Sequence, residues 1–286
     1  MQHCETTTLG VLLRHEGIEL SEPMIFGLGS GLGFIIWDTF LGGRVKPFVL
    51  TQNLVARLGL TMDARETTSP RKAWQNVATF LDEGRPVGLQ LDSYHLEYFT
   101  SKVHFGGHFA AIHGYDGQNA YLVDTEQQGG KVTTSLDSLA AARSERGPMT
   151  ARNRSFTITG TPRDPADVIL PAIRANAAEF LNPPIANLGH RGIAKAAKVP
   201  LPPEVAIFME RAGTGGALFR NLYRDFLAEA ATILDDPRLR EAHARYAEIA
   251  PLWTQAAQAI ERGDPPTEIM LDLAVREREA MEILAM

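Results

Sequence analysis

Apolar and polar positions divide the 286-residue chain into two halves of different character. In the first half, helical and extended patterns alternate. Leu9, Leu12 and Leu13 recur at helical spacing directly after Cys4, and Gly17 supplies a stop for the helix they predict. The spacing predicts a second helix over 69–84, with Ser69 as N-cap, Pro70 in its first turn and Gly84 at its end. Residues 86–92 read as a strand. Residues 108–113 and 120–123 read as two more, joined through 114–119, a hairpin connection that contains Asp-Gly. Two further short strands, over 131–134 and 155–159, flank a helical stretch at 136–146.

The run Gly160-Thr161-Pro162-Arg163-Asp164-Pro165 is a turn-rich break. Beyond it no strand pattern stands out. Apolar residues recur every three or four positions over 166–181, 204–211, 216–234, 237–262 and 266–285, which predicts helices. The expected architecture is therefore α+β over 1–162 followed by an all-α domain over 163–286, a helical cap or an oligomerisation domain. The charged helices from 237 onward suit an exposed face or the contact of a homo-oligomer.

Composition narrows the function classes. A hydrophobic fraction of 44% with 22% charged residues is ordinary for a soluble globular chain. The net charge of −6 lacks the basic excess of a phosphate-backbone binder, so nucleic acid is not an expected partner. No stretch of about 18 uninterrupted apolar residues occurs, so no membrane span is expected. The first residues lack a basic region followed by an apolar core, and the expected location is cytoplasmic. Cys4 is the one cysteine. It can form no internal disulfide and no cysteine-rich zinc site, and it fits a reducing compartment.

That cysteine also carries the strongest chemical signal. It directly precedes a predicted helix, whose unpaired N–H groups and partial positive charge favour a thiolate. A lone cysteine is otherwise most often a small buried hydrophobe. His108 opens a strand behind Gly106 and Gly107, where a histidine at a strand end can take a proton from a thiol; His104 and His113 compete with it. Asp124 ends the next strand. If the two strands pair through the Asp-Gly hairpin, Asp124 and His108 share one open end, which lets a carboxylate orient an imidazole. Cys4, His108 and Asp124 are thus a candidate nucleophile, base and orienter.

Other motifs lead elsewhere. Gly27-Leu28-Gly29-Ser30-Gly31-Leu32-Gly33 fits no nucleotide-binding register and is followed by no P-loop lysine. It reads as a close-packed turn, with Gly29 and Gly31 as candidates for the lining of a substrate cleft. Tyr94 and His95 follow a strand and either border the cleft or lie on a surface loop. His3 and His15 lack partners at metal-ligand spacing, so no metal is expected.

Cys4 before a helix, Gly106-Gly107-His108-Phe109 and Val123-Asp124 together resemble the C39-like branch of papain-like peptidases. His3-Cys4-Glu5-Thr6-Thr7, Leu13-Arg14-His15, Leu20-Ser21-Glu22-Pro23 and the run from Phe26 to Phe34 look like the N-terminal domain of butirosin biosynthesis protein H. Glu210, with Gly213 through Arg220 and Leu222-Tyr223-Arg224, looks like the uncharacterised helical domain that usually follows it.

The resemblance implies a papain-like fold and an acyltransferase. An acyl or aminoacyl group carried as a phosphopantetheine thioester on an acyl carrier protein, or on coenzyme A, would pass through Cys4 to a small-molecule amine acceptor, with no bound cofactor. His108 would be the base and Asp124 its orienter. The sequence departs from the papain-like pattern in one respect: only three residues precede Cys4, and Gln2 stands too close to act as the usual glutamine oxyanion donor. The Cys4 backbone N–H is one donor that remains. An acyl-enzyme must also be kept from water, a role that a helical cap would fill. Glu210, Arg220 and Tyr223 are candidate cleft-wall residues, with ordinary interhelical pairing as the alternative. Two other readings stay open: a C39-like cysteine peptidase or amidase on the same triad, and a non-catalytic binding protein on the same fold.

Overall fold

The structure, a computed structural model, describes residues 1–147, 149–210 and 216–286. In chain order the elements are α1 (Cys4–His15), α2 (Glu22–Leu28), β1 (Leu32–Trp37), β2 (Phe40–Arg44), α3 (Val49–Leu58), β3 (Thr61–Arg65), α4 (Pro70–Asp82), β4 (Val87–Leu91), β5 (His108–Tyr115), β6 (Asn119–Val123), β7 (Lys131–Ser135), α5 (Leu136–Ser144) and β8 (Ser155–Thr159). Helices then follow one another: α6 (Pro165–Leu181), α7 (Gly189–Ala196), α8 (Glu204–Glu210), α9 (Gly216–Leu234), α10 (Pro237–Glu261) and α11 (Thr267–Ala285). The fold class is mixed α+β with a helical C-terminal half.

The chain forms two compact units: Met1–Ile25 with Gly59–Pro162, and Phe26–Leu58 with Arg163–Met286. Residues 26–58, which a linear division at 162/163 assigns to the first half, thus belong with the C-terminal helices.

The first unit is built on a six-stranded antiparallel sheet of order β3-β8-β4-β5-β6-β7. Alternation along a strand sends every second side chain to the same face. Val87, Leu89 and Leu91 of β4, Ala110 and Ile112 of β5, and Ala120 and Leu122 of β6 accordingly form one core with Val77 of α4 and Leu139 and Ala142 of α5. Helix α1 packs across β5 and touches β4, β6 and β8. Helix α4 starts where the sequence places it, since the Ser69 side chain accepts the Lys72 N–H and Pro70 fills the first turn. Gly17, at φ +74°, adopts the left-handed conformation that ends α1.

In the second unit, β1 and β2 form an antiparallel hairpin. Helix α6 is hydrogen-bonded to the hairpin and to the turn before it: the Asn176 side chain donates to the Leu32 carbonyl, and the Ser30 hydroxyl in the turn donates to the Ala172 carbonyl of the helix. Phe26 stacks on Phe219 at 5.7 Å, and Phe34 meets Trp253 at 5.5 Å. These contacts hold 26–58 to the helices.

The predicted strands and the long predicted helices are present within a few residues of their expected bounds. Helices α2, α3 and α7 and strands β1, β2 and β3 were not anticipated. Strand β2 contains Gly42 and Gly43, and β3 is an edge strand with no fully buried residue, so neither shows a strong strand pattern. Helix α7 is eight residues long with two glycines.

Candidate active site

Cys4 is the first residue of α1. Its helix has no N-cap from its own preceding side chain: His3 is extended there, at φ −104°, ψ 133°, and makes no cap bond. Glu22 serves instead. Its carboxylate accepts the N–H of Gln2 at 2.9 Å, the N–H of His3 at 2.8 Å and the Thr6 hydroxyl at 2.8 Å. The hydroxyls of Thr6 and Thr7 also reach the His3 carbonyl, at 2.9 and 2.7 Å. Helix entry is thereby fixed from both sides, and among the described residues the Cys4 N–H has no acceptor. Cys4 itself is half-buried and a free thiol.

His108 opens β5 opposite Leu91 of β4 and is buried. Its Nε2 lies 2.7 Å from Asp124 Oδ2. Cys4 is near enough to the ring to favour its charged form, and Nδ1 is the nitrogen that Asp124 leaves free. The Phe99 ring meets the imidazole edge-on at 5.0 Å. Asp124 is buried directly after β6. Its Oδ2 also accepts the Tyr98 hydroxyl at 2.8 Å, and Oδ1 accepts the Thr125 N–H at 2.6 Å. Each carboxylate oxygen is therefore engaged, and the carboxylate has one orientation in which to meet the ring.

The electrostatics follow from this packing. Burial disfavours a charged His108, but the charge and hydrogen bond of Asp124, with a further contribution from Cys4, outweigh it and raise the pKa to about 10. Burial likewise works against the Asp124 carboxylate, and His108, Thr125 and Tyr98 overcome it, leaving its pKa lowered. The site thus favours an imidazolium paired with a carboxylate, with the Cys4 sulfur nearby. A cysteine, a histidine and a carboxylate so placed are residue types that can serve as nucleophile, proton carrier and orienting acid.

The structure brings Cys4, His108 and Asp124 together within the first unit. Tyr98, Phe99 and Glu22 complete their surroundings and were not anticipated as site residues. Tyr98 and Phe99 lie in a loop after a 3₁₀ turn, where no periodicity marks them. Tyr94 is partly exposed on that turn, stacked on His104 at 4.0 Å.

The remaining candidates lie in the second unit. Gly29 and Gly31 are buried: a Cβ on Gly29 would fall 2.6 Å from the Leu50 side chain, and one on Gly31 2.5 Å from the Phe26 ring. Arg220 is fully buried, with Nε and Nη2 donating to Glu277 at 2.8 and 2.9 Å and Nη1 donating to the Gly43 carbonyl at 2.9 Å. Trp253 shares Glu277 at 2.5 Å, and the Arg220 guanidinium lies over its ring. Tyr223 is fully buried against Phe226 and Tyr246. Glu210 is the exposed last residue of α8. Gly213, Thr214 and Gly215 lie outside the described residues.

Two family models match the chain. Residues 3–125 match the model "Butirosin biosynthesis protein H, N-terminal", and residues 137–199 and 203–284 match a domain of unknown function, DUF4872. The chain belongs to the butirosin biosynthesis protein H-like family. Its first match spans Cys4, His108 and Asp124, and its second covers the helical half. No curated protein matches the chain. Among the described residues, no helix is long and apolar enough to cross a membrane.

Proposed function

We propose that the protein is an acyltransferase of natural-product biosynthesis, working through a Cys4 acyl-enzyme on a papain-like scaffold. The observation that carries this reading is the His108–Asp124 pair, with His108 opening β5 and Asp124 directly after β6, and with Cys4 at the start of α1 near enough to favour the charged ring. The family adds the biosynthetic context.

In this mechanism Cys4 is a thiolate beside the His108 imidazolium. Its sulfur attacks the thioester carbonyl of an acyl carrier protein or a coenzyme A derivative. The carbonyl oxygen becomes an oxyanion, for which the unpaired Cys4 N–H is one donor. As the tetrahedral intermediate collapses, the C–S bond to the carrier breaks and His108 gives its proton to the departing thiolate. The now neutral ring takes a proton from the incoming amine as nitrogen attacks the acyl-enzyme. Collapse releases the amide and restores the thiolate–imidazolium pair. Asp124 stabilises the charged ring throughout, and Tyr98 holds Asp124. A thioester is already activated, so positioning and a thiolate supply most of what the reaction needs.

The test is intact mass after incubation with an acyl-loaded carrier protein, followed by addition of amine acceptors. The expected result is one acyl adduct, absent in Cys4→Ala and discharged to an amide by the acceptor. An unchanged adduct in Cys4→Ala overturns the reading. Peptide cleavage with no carrier-dependent adduct replaces it with a peptidase.

A further inference from the structure

Three side chains from three separate segments converge beside the triad's strand. His95 closes the 3₁₀ turn Ser93–His95, His104 lies in the loop before β5, and Glu145 follows the last residue of α5. Each offers one ligand atom, and the three atoms lie within 4.8 Å of one another. His95 Nε2 is already 2.6 Å from Glu145 Oε2.

The surroundings orient these rings. Asp92, whose side chain is 4% exposed, faces His104 Nδ1 with Oδ2 at 3.3 Å. Its Oδ1 is held in turn by the N–H groups of Tyr94 at 2.9 Å and Phe105 at 3.3 Å. The Tyr94 ring lies flat on His104 at 4.0 Å and edge-on to His95 at 5.2 Å. A buried carboxylate on one imidazole nitrogen selects the tautomer whose other nitrogen, here His104 Nε2, carries a lone pair for a metal. The three ligand side chains are 24%, 55% and 29% exposed, so an ion and its water have access.

Two imidazoles and one carboxylate match the donor set of borderline divalent ions such as zinc, which bind such ligands at about 2.0–2.2 Å and keep further positions for water. We propose that His95, His104 and Glu145 bind one divalent transition-metal ion of the zinc type, with Asp92 and Tyr94 orienting His104. Binding replaces the hydrogen bond between His95 and Glu145 and draws the three ligand atoms closer together. The site is independent of the acyl-transfer reading, because none of its ligands belongs to the triad.

The experiment is zinc titration by calorimetry on the full-length, chelator-treated protein without a histidine tag. It uses the Cys4→Ser background, so that the sole thiol cannot bind the metal. The expected result is one equivalent bound near neutral pH, weakened at least about 10-fold by either His104→Ala or Glu145→Gln. Asp92→Asn weakens it about 10- to 100-fold, the range for loss of a group that orients a metal-bound histidine. Cobalt(II) in place of zinc gives visible absorption bands that His104→Ala abolishes while the thermal melt keeps its wild-type shape. No stoichiometric binding, or binding untouched by both His104→Ala and Glu145→Gln, overturns the proposal and leaves His95 and Glu145 an ordinary ion pair.

Discussion

His108 Nε2 and Asp124 Oδ2 lie 2.7 Å apart although the two residues are not direct cross-strand partners. The β5–β6 register pairs Ala111 with Val123, so one further step sets Asp124 opposite Ala110. His108 is two residues from that position, on the same face, and the pair is diagonal. Diagonal neighbours remain within reach of long side chains, and Tyr98 and Thr125 fix the carboxylate toward the ring.

This pairing predicts a pH dependence of stability. The folded-state pKa of His108 is raised from 6.5 to about 10. Its stabilising contribution is therefore complete below pH 6.5 and is lost as pH rises through about 10. Asp124 acts in the opposite direction: with its pKa lowered, it contributes above the ordinary carboxylate value and loses that contribution on acidification. Thermal melts across the alkaline range are expected to fall more steeply for wild type than for His108→Gln.

Asp124→Asn keeps a hydrogen-bonding group in place and removes its charge. The His108 pKa is expected to fall toward its ordinary value, read from its imidazole resonances by NMR. Acyl transfer is expected to drop on the order of 10²-fold, the lower end of general acid–base contributions. An unaltered His108 titration would show that Asp124 is not what raises it.

Tyr98→Phe deletes one donor to a buried carboxylate while leaving the ring's packing intact. A hydrogen bond to a charged group contributes about 2 kcal/mol, and a loss of that order is expected in chemical denaturation. Activity is expected to fall less than in Asp124→Asn, since His108 and Thr125 still hold the carboxylate.

Glu22→Ala leaves the N–H groups of Gln2 and His3 without their acceptor at the entry to α1. A lost helix cap costs about 1 kcal/mol, measurable by denaturation. Acyl-adduct formation at Cys4 is expected to slow in the same variant, because the first turn that carries the thiol loses its anchor.

In the second unit, two substitutions separate packing from substrate contact. Arg220→Met strands the buried Glu277 carboxylate and is expected to destabilise the protein by about 3–5 kcal/mol. The Tyr223 hydroxyl is buried with no hydrogen-bond partner among the described residues, so Tyr223→Phe is expected to be neutral or to stabilise by about 1 kcal/mol. A rise in KM for Tyr223→Phe, with unchanged stability, would instead mark Tyr223 as a substrate contact.

What the sequence determines by itself is local. Helix α4 is written in Ser69, Pro70 and its apolar spacing. The α1 start follows from Cys4 before Leu9, Leu12 and Leu13, and the β5–β6 hairpin from alternation around Asp-Gly. Those elements suffice to nominate Cys4, His108 and Asp124, because a strand end and a helix start have known directions. Tertiary structure alone decides what comes from loops and from distant segments. Tyr98 reaches Asp124 across 26 positions, Glu22 caps a helix that begins 18 residues before it, and His95, His104 and Glu145 meet from three segments. It also decides that residues 26–58 join the C-terminal helices, through Ser30 and Ala172, Leu32 and Asn176, and Phe26 and Phe219. The physical reason is the same in each case. Periodicity records which face of an element is buried, whereas the partner that buries it, or that satisfies a carboxylate, is chosen by the packing of the folded chain.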